Sequence, residues 1–327
     1  MVSFLKKQTR SRISFLPGMG KCEPIGIDMG DEVLKMVQLA DNGHGIELIA
    51  GDSRNLPEDI KAGSSQWQRW AIEAISELTA NGRFRGREVI AAMPARDVFI
   101  EHVKMPKTPD GSSSEEKRQE VLLLKIRQKL PFQSDDALIR YIPSEDGNVL
   151  AVAVERKIVE RHLAIYENAN VRIKSIGVWP TALVNSYTRF FGRRQADIEA
   201  VVMLLEIDTN DTRVVICRHK NLLFARSIPV GARQLEANEL IKRLVLELTA
   251  CRRQFASMYK NAQIERLIFL CGQGTQNTCA TIAKQLEMPA QVGDCLAAVR
   301  TSSPSDGGID RRNCQVNWAT AFGLSLS

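Results

Sequence analysis

The chain has 327 residues, 44 % of them apolar and 25 % charged, the balance of a globular protein with a large core. That composition excludes a disordered or collagen-like chain, and no run approaches the ~18 uninterrupted apolar residues of a spanning helix. The net charge of +6 is unevenly placed: Lys6, Lys7, Arg10, Arg12 and Lys21 stand without an acid in residues 1–22, so residues 23–327 carry only +1.

A dedicated nucleic-acid binder carries a basic face across its folded domain, so no nucleic-acid partner is expected. The arm reads instead as a handle for peripheral membrane contact, since each basic residue near an anionic leaflet contributes roughly 1 kcal/mol. Phe4, Leu5, Ile13, Phe15 and Leu16 would add shallow apolar contact; a solubilising tail is the alternative. The apolar stretch at 13–16 is too short for a secretory signal. Seven cysteines with no CxxC pair point to a reducing compartment rather than a zinc or disulfide framework.

In chain order, an apolar strand from Pro24 runs into an acidic turn at 28–32, and an alternating strand to Leu39 follows. A third strand over 46–50 completes a meander after Asn42-Gly43. Residues 66–80 space Trp67, Trp70, Ala71, Ala74, Ile75 and Leu78 as a helix, and 88–93 reads as a strand. The next segment differs: a strand over 98–103, a helix over 115–130 stopped by Pro131, a strand over 149–154 and a helix over 157–168. The opening pattern then returns with strands over 200–207, 212–217 and 222–230. A long amphipathic helix over 234–259 and a strand over 266–271 close this second copy. Residues 302–308, rich in Ser, Pro and Gly, read as a loop before the last helix. Such repetition predicts a duplicated α/β fold with a cleft between its halves.

A strand ending in Asp28-x-Gly30 can turn backbone N–H groups toward an anion, with Gly30 allowing close approach. Asp28 could then hold a magnesium ion through water. A solvated hairpin turn is the plainer reading. The histidines are scattered without metal-ligand spacing, and no nucleophile motif is present.

These turns resemble the phosphate loops of the actin, DnaK-type chaperone and sugar-kinase superfamily. More narrowly, the chain resembles the PilM family of type IV pilus assembly, which is related to FtsA. The resemblance is carried by residues 25–39, Ala-Met-Pro at 92–94, Val-Lys-Met-Pro at 103–106 and Lys-Leu-Pro-Phe at 129–132. Residues 222–231 and the Asn-Trp-Ala-Thr-Ala-Phe-Gly-Leu run at 317–324 complete it. It implies an actin-like, ribonuclease-H-like two-lobed α/β fold with an inserted small α+β subdomain. A basic arm over 1–23 would precede a first lobe of 24–94 with 176–198. The insertion would span 95–175, and the second lobe 199–327.

The resemblance further implies a cytoplasmic scaffold, peripheral to the inner membrane, that links a PilN-like bitopic membrane protein to the pilus motor. The partner's cytoplasmic tail would lie in a groove near Val98, Ile100, Arg127, Leu130 and Phe132, unless these side chains simply fill the subdomain core. A site for ATP with Mg2+ would use Asp28, Gly30, Lys35, Glu206, Thr209, Glu239, Lys242, Gly272 and Gly274, with Asp28 toward the metal. The sequence departs from that pattern. The second loop has Glu206 for its first acid and Asp208 where glycine is usual, and Asp31 and Glu32 replace Ser or Thr. Two like charges ~4 Å apart repel by ~1 kcal/mol in water and ~4 kcal/mol at an effective dielectric of 20. Cys271 and Gln273 interrupt the adenosine motif, and Glu239 with Lys242 also reads as a solvated helix face. These departures favour a scaffold with a degenerate nucleotide site over the alternative, an active ATPase or kinase of the superfamily.

Overall fold

Duplication is visible in strand order. The computed structural model describes residues 5–6, 21–43, 45–105, 115–235, 238–271, 276–301, 308–309 and 316–327. The two-residue strands β1 (Leu5–Lys6) and β2 (Lys21–Cys22) precede the first copy: β3 (Ile25–Met29), β4 (Val33–Asp41), β5 (Ile46–Asn55), α1 (Ser65–Ala80) and β6 (Glu88–Met93). Next come β7 (Phe99–Lys104), α2 (Glu115–Ile126), β8 (Ala137–Pro143), β9 (Asn148–Glu155), α3 (Arg156–Asn168), β10 (Arg172–Val178), α4 (Trp179–Ser186) and α5 (Gln195–Glu199). The second copy holds β11 (Val201–Ile207), β12 (Thr212–Arg218), β13 (Asn221–Ile228), α6 (Asn238–Met258), β14 (Arg266–Leu270), α7 (Gln276–Leu286), β15 (Ala290–Gly293), α8 (Cys295–Ala298) and α9 (Ala319–Ser325).

The first sheet runs β1-β10-β6-β3-β4, with β2 and β5 both pairing with β4, and the second β13-β12-β11-β14-β15. In each, an antiparallel meander is followed by parallel pairing at its first strand. The central strands β3 and β11 are buried along their whole length, as strands covered on both faces must be. Helix α1 starts at Ser64, whose hydroxyl accepts the Trp67 N–H, and it buries Trp67, Ala71, Ala74, Ile75 and Leu78. Helix α6 buries Ile241, Leu244, Leu248, Cys251 and Phe255 in the core of the second lobe.

Several elements differ from the sequence expectation. Strand β5 continues to Asn55 because its polar half, 51–55, pairs with β4 from Val37 back to Val33; ladder pairing, which leaves no periodic signal, extends it. Helix α2 ends at Ile126 rather than 130. Strands β8, β10 and β15 were not expected; β15 has three exposed residues of four and so little apolar pattern. Strand β10, which the domain boundary at 175/176 would divide, pairs along its length with β6, and α3 packs on α1. The separate three-stranded sheet, β7-β9-β8, is therefore confined to 99–155 and is covered by α2. None of the six described cysteines is in a disulfide.

Helices α4 and α9 pack together between the two sheets. At their crossing, a Cβ on Gly323 would overlap the Ala182 carbonyl, and one on Gly26 of β3 would overlap the Ala321 carbonyl. Backbone therefore meets backbone through both layers. Replacing Gly323 by Ala should force the helices apart and lower unfolding free energy by about 1–3 kcal/mol. A urea titration with unchanged slope and a lower midpoint is the expected result.

Candidate functional site

In each copy an acid near the end of the first strand faces a base on the second. Asp28 of β3 is opposite Lys35 of β4, and Glu206 of β11 is opposite Arg213 of β12. The spacing is the same in both hairpins, so the duplication brings two acid–base pairs to the junction of the lobes. Lys35 is 1 % exposed and its Nζ lies 2.7 Å from Asp28 and 3.8 Å from Asp208. Arg213 donates to Glu206 at 3.0 Å, to Asp208 at 3.1 Å and to Asp211 at 3.3 Å. The Thr320 hydroxyl of α9 lies 2.9 and 2.8 Å from the two Glu206 oxygens.

Burial alone would drive the proton off Lys35, but Asp208, Asp28 and Glu206 outweigh it and hold the ammonium charged. For Asp208, burial favours the neutral acid; Lys35, Arg213 and the Thr209 N–H overcome this and keep it below its ordinary value. Glu206 goes the other way. Burial, opposed by Arg213 and Lys35, pushes it up to about 7. The cluster is therefore a network in which both cations are already engaged by carboxylates.

Outside it, Glu32 of the first turn accepts from Asn210 at 3.0 Å and from Arg233 at 2.9 Å, joining the two turns at the surface. The space left between the turns is about 10 Å³, lined by Gly30, Asp31, Glu32, Val33 and residues 208–211. That is room for about one water. Four of these residues are acids, which opposes a triphosphate at this point; a wider cavity of about 740 Å³, bordered by Asp31, Glu32, Arg96, Asn210 and Arg233, opens beside it. Among the described residues, no set of His, Cys, Asp and Glu is placed to hold a metal ion; Asp28 faces Lys35 instead.

The structure thus gathers Asp28, Gly30, Lys35, Glu206 and Thr209 at one junction. Glu239 and Lys242 bond to each other on the exposed face of α6, and Gly272 and Gly274 lie outside the described residues. Arg213 was missed from sequence. Its signal was available: Lys35 follows Asp28 by the same interval as Arg213 follows Glu206.

The five groove candidates separate. Val98 and Ile100 line a cavity of about 350 Å³ between β7 and β13, together with His102, Trp179, Arg226 and Gln254. Leu130 and Phe132 pack on the opposite face of the small sheet, against the core that contains Leu122 and Ile126, and Arg127 is exposed. The two-residue period of β7 makes this division, since Val103 points to α2 while Ile100 points away. His102 crosses the cavity wall: its Nε2 accepts the Ala225 N–H at 3.2 Å, and its ring stacks on Phe224. Burial and Arg226 push its pKa down to about 4, which keeps it a neutral acceptor. Ser144 meets the Tyr259 hydroxyl at 2.7 Å and Glu145 pairs with Arg218, so the insertion is fastened to the second lobe. The buried indole N–H of Trp179, a residue that lines this cavity, has no hydrogen-bond partner among the described residues.

Residues 26–248 match the family model described as type IV pilus assembly protein PilM, and the chain belongs to that family. No curated protein matches it in sequence. Among solved structures, a PilM-PilN type IV pilus biogenesis complex is similar with a TM-score of 0.72 at 19 % identity, over 93 % of this chain and 98 % of that one. The cytoplasmic domain of EpsL, an inner-membrane component of the type II secretion system of Vibrio cholerae, follows at 0.51 and 11 % identity, over 93 % and 94 %. A Bacteroides thetaiotaomicron protein with an actin-like ATPase fold gives 0.51 at 9 % identity, over 85 % and 92 %. The fold is the two-lobed actin-like one that the sequence resemblance implied.

Replacing Lys35 by Met keeps the bulk of the stem but leaves Asp28 buried without its cation and Asp208 with Arg213 alone. Breaking a buried pair from one side costs about 3–5 kcal/mol. Urea unfolding should report that loss, and adding Asp28→Asn should return part of it, because the two sites are coupled.

Proposed function

We propose that this PilM family member is an actin-like scaffold of a type IV pilus or related secretion machine. It holds the cytoplasmic tail of a PilN-like inner-membrane protein, and its nucleotide site has become a structural ion cluster. The observation that carries the scaffold reading is the junction of the two turns. Lys35 and Arg213, the cations that phosphates would need, are bound to carboxylates of the chain itself.

The cavity between β7 and β13 supports the partner reading. It offers apolar side chains at Val98 and Ile100 beside the polar groups of Arg226 and Gln254, a mixed lining suited to a peptide tail. The solved PilM-PilN complex shares the fold over nearly the whole chain. No helix among the described residues is long and apolar enough to cross a membrane, so the bitopic partner would provide the membrane attachment. In this reading the protein sits on the cytoplasmic side, between that partner and the pilus motor. The basic arm adds surface contact with the bilayer; of that arm, only the strands at 5–6 and 21–22 are among the described residues.

Two measurements test the proposal. The protein should co-purify with a bitopic membrane protein, and deletion of that protein's N-terminal tail or the change Ile100→Asp should abolish capture, with at least a tenfold loss of affinity. Capture that survives both changes would refute the groove. Magnesium–ATP titrated into the purified protein should give no micromolar heat and no phosphate release. Micromolar binding with turnover would favour an active ATPase or kinase instead.

A further inference from the structure

Asp208 stands where a glycine would let backbone approach a phosphate, and its surroundings are those of a bound oxyanion. The Thr209 N–H donates to Oδ1 at 2.9 Å, Arg213 Nη2 donates to Oδ2 at 3.1 Å, and Lys35 Nζ lies 3.8 Å from the same oxygen. A backbone amide, a guanidinium and an ammonium are the donors that phosphate sites assemble. They come from both lobes: Lys35 from the first, Arg213 and Thr209 from the second. Asp208 Oδ2 lies over Gly30, 3.9 Å from where a Cβ would stand, while the close approach that needs the glycine is to the Val33 carbonyl at 2.9 Å.

We propose that the junction is an oxyanion site occupied in cis, with the Asp208 carboxylate as the built-in anion that closes the lobes on one another. The ligand class that this site would take, once vacated, is a small oxyanion such as phosphate or a carboxylate. Closure therefore needs no bound molecule. Three further facts fit. Asp208 is itself held by the turn, since its N–H donates to the Asp211 carbonyl and its own carbonyl accepts the Ala232 N–H, both within 2.9 Å. Gly231, whose Cβ would overlap the backbone of 209–210, allows that turn to seat against the end of β13. Glu32 repeats the device at the surface, as a first-lobe carboxylate received by second-lobe donors. This inference rests on reading the two turns as a disused nucleotide site. Its test is independent of the magnesium–ATP titration, which addresses that reading alone.

The experiment is rescue by anions. Asp208→Gly in the full chain vacates the site and should lower the melting temperature. Millimolar phosphate or acetate should restore it, relative to chloride at the same ionic strength, while leaving the unsubstituted protein unmoved. Asp208→Asn, which fills the same space with a neutral amide, should be destabilised without being rescued. Failure of both anions to rescue Asp208→Gly would overturn the proposal, as would equal rescue of Asp208→Asn or equal stabilisation of the unsubstituted protein. If Asp208→Gly does not fold, hydrogen exchange of Asp208→Asn decides. Amides at 29–33 and 208–211 should exchange roughly tenfold faster, whereas unchanged exchange there would refute a closing role.

Discussion

A single buried ammonium sets the terms on which the two lobes can meet. Lys35 cannot be taken out of water unless carboxylates come with it, and one of its carboxylates belongs to the other lobe. Buried ion pairs are weak evidence for stability, because desolvation consumes most of the Coulombic gain. They are strong determinants of register, because any arrangement that leaves one partner alone is heavily penalised. Here the register concerned is that of two half-molecules. Arg213 binds three carboxylates of its own lobe and presents one of them, Asp208, to Lys35. The closed cleft is thus the arrangement in which both buried cations are held by carboxylates.

The same junction explains why α9 matters beyond its size. Asn317, just before it, donates to the Leu270 carbonyl of β14; Thr320 reaches Glu206 of β11; and the Ser325 hydroxyl donates to the Pro24 carbonyl ahead of β3. Seven helical residues therefore touch both sheets through polar contacts, while Gly323 lets the helix lie directly on α4. Glu206, raised by burial, depends on that hydroxyl as well as on Arg213. Packing of the inter-sheet layer and the electrostatics of the cleft are one problem with one solution.

Much of this was legible in the sequence, for identifiable reasons. The strand–turn–strand meanders declare themselves by apolar runs broken at Asp28-Met-Gly30 and at residues 208–211, and their recurrence revealed the duplication. Asp28 was identifiable as the acid of a strand-end Asp-x-Gly, whereas Lys35 and Glu206 were reached through the family resemblance. Arg213 escaped because a charged residue inside an apolar strand, between Thr212 and Val214, reads as an outward-facing position. Only the register across the hairpin turns it inward to Glu206. The groove candidates divided because Ile100 and Phe132 are both apolar neighbours of one small sheet, and hydrophobicity carries no label for which face it will join. Strand β15 and the polar half of β5 are held by ladder hydrogen bonds, which composition does not record.

The placement of α9 also bears on how the molecule is made. Pro24 and Ser325 are 301 residues apart in the chain yet joined by a hydrogen bond, and Glu206 waits for Thr320 across 114 residues. During synthesis at ~5–20 residues per second, the first sheet spends tens of seconds with one face of β3 uncovered. Glu206 emerges well before the hydroxyl that will receive it. A nascent chain of this protein therefore passes through a stage in which one face of β3 is exposed and Glu206 lacks its hydroxyl donor. A chaperone or neighbouring ribosome would encounter the first half as an unfinished surface, and the last helix closes that surface in one step.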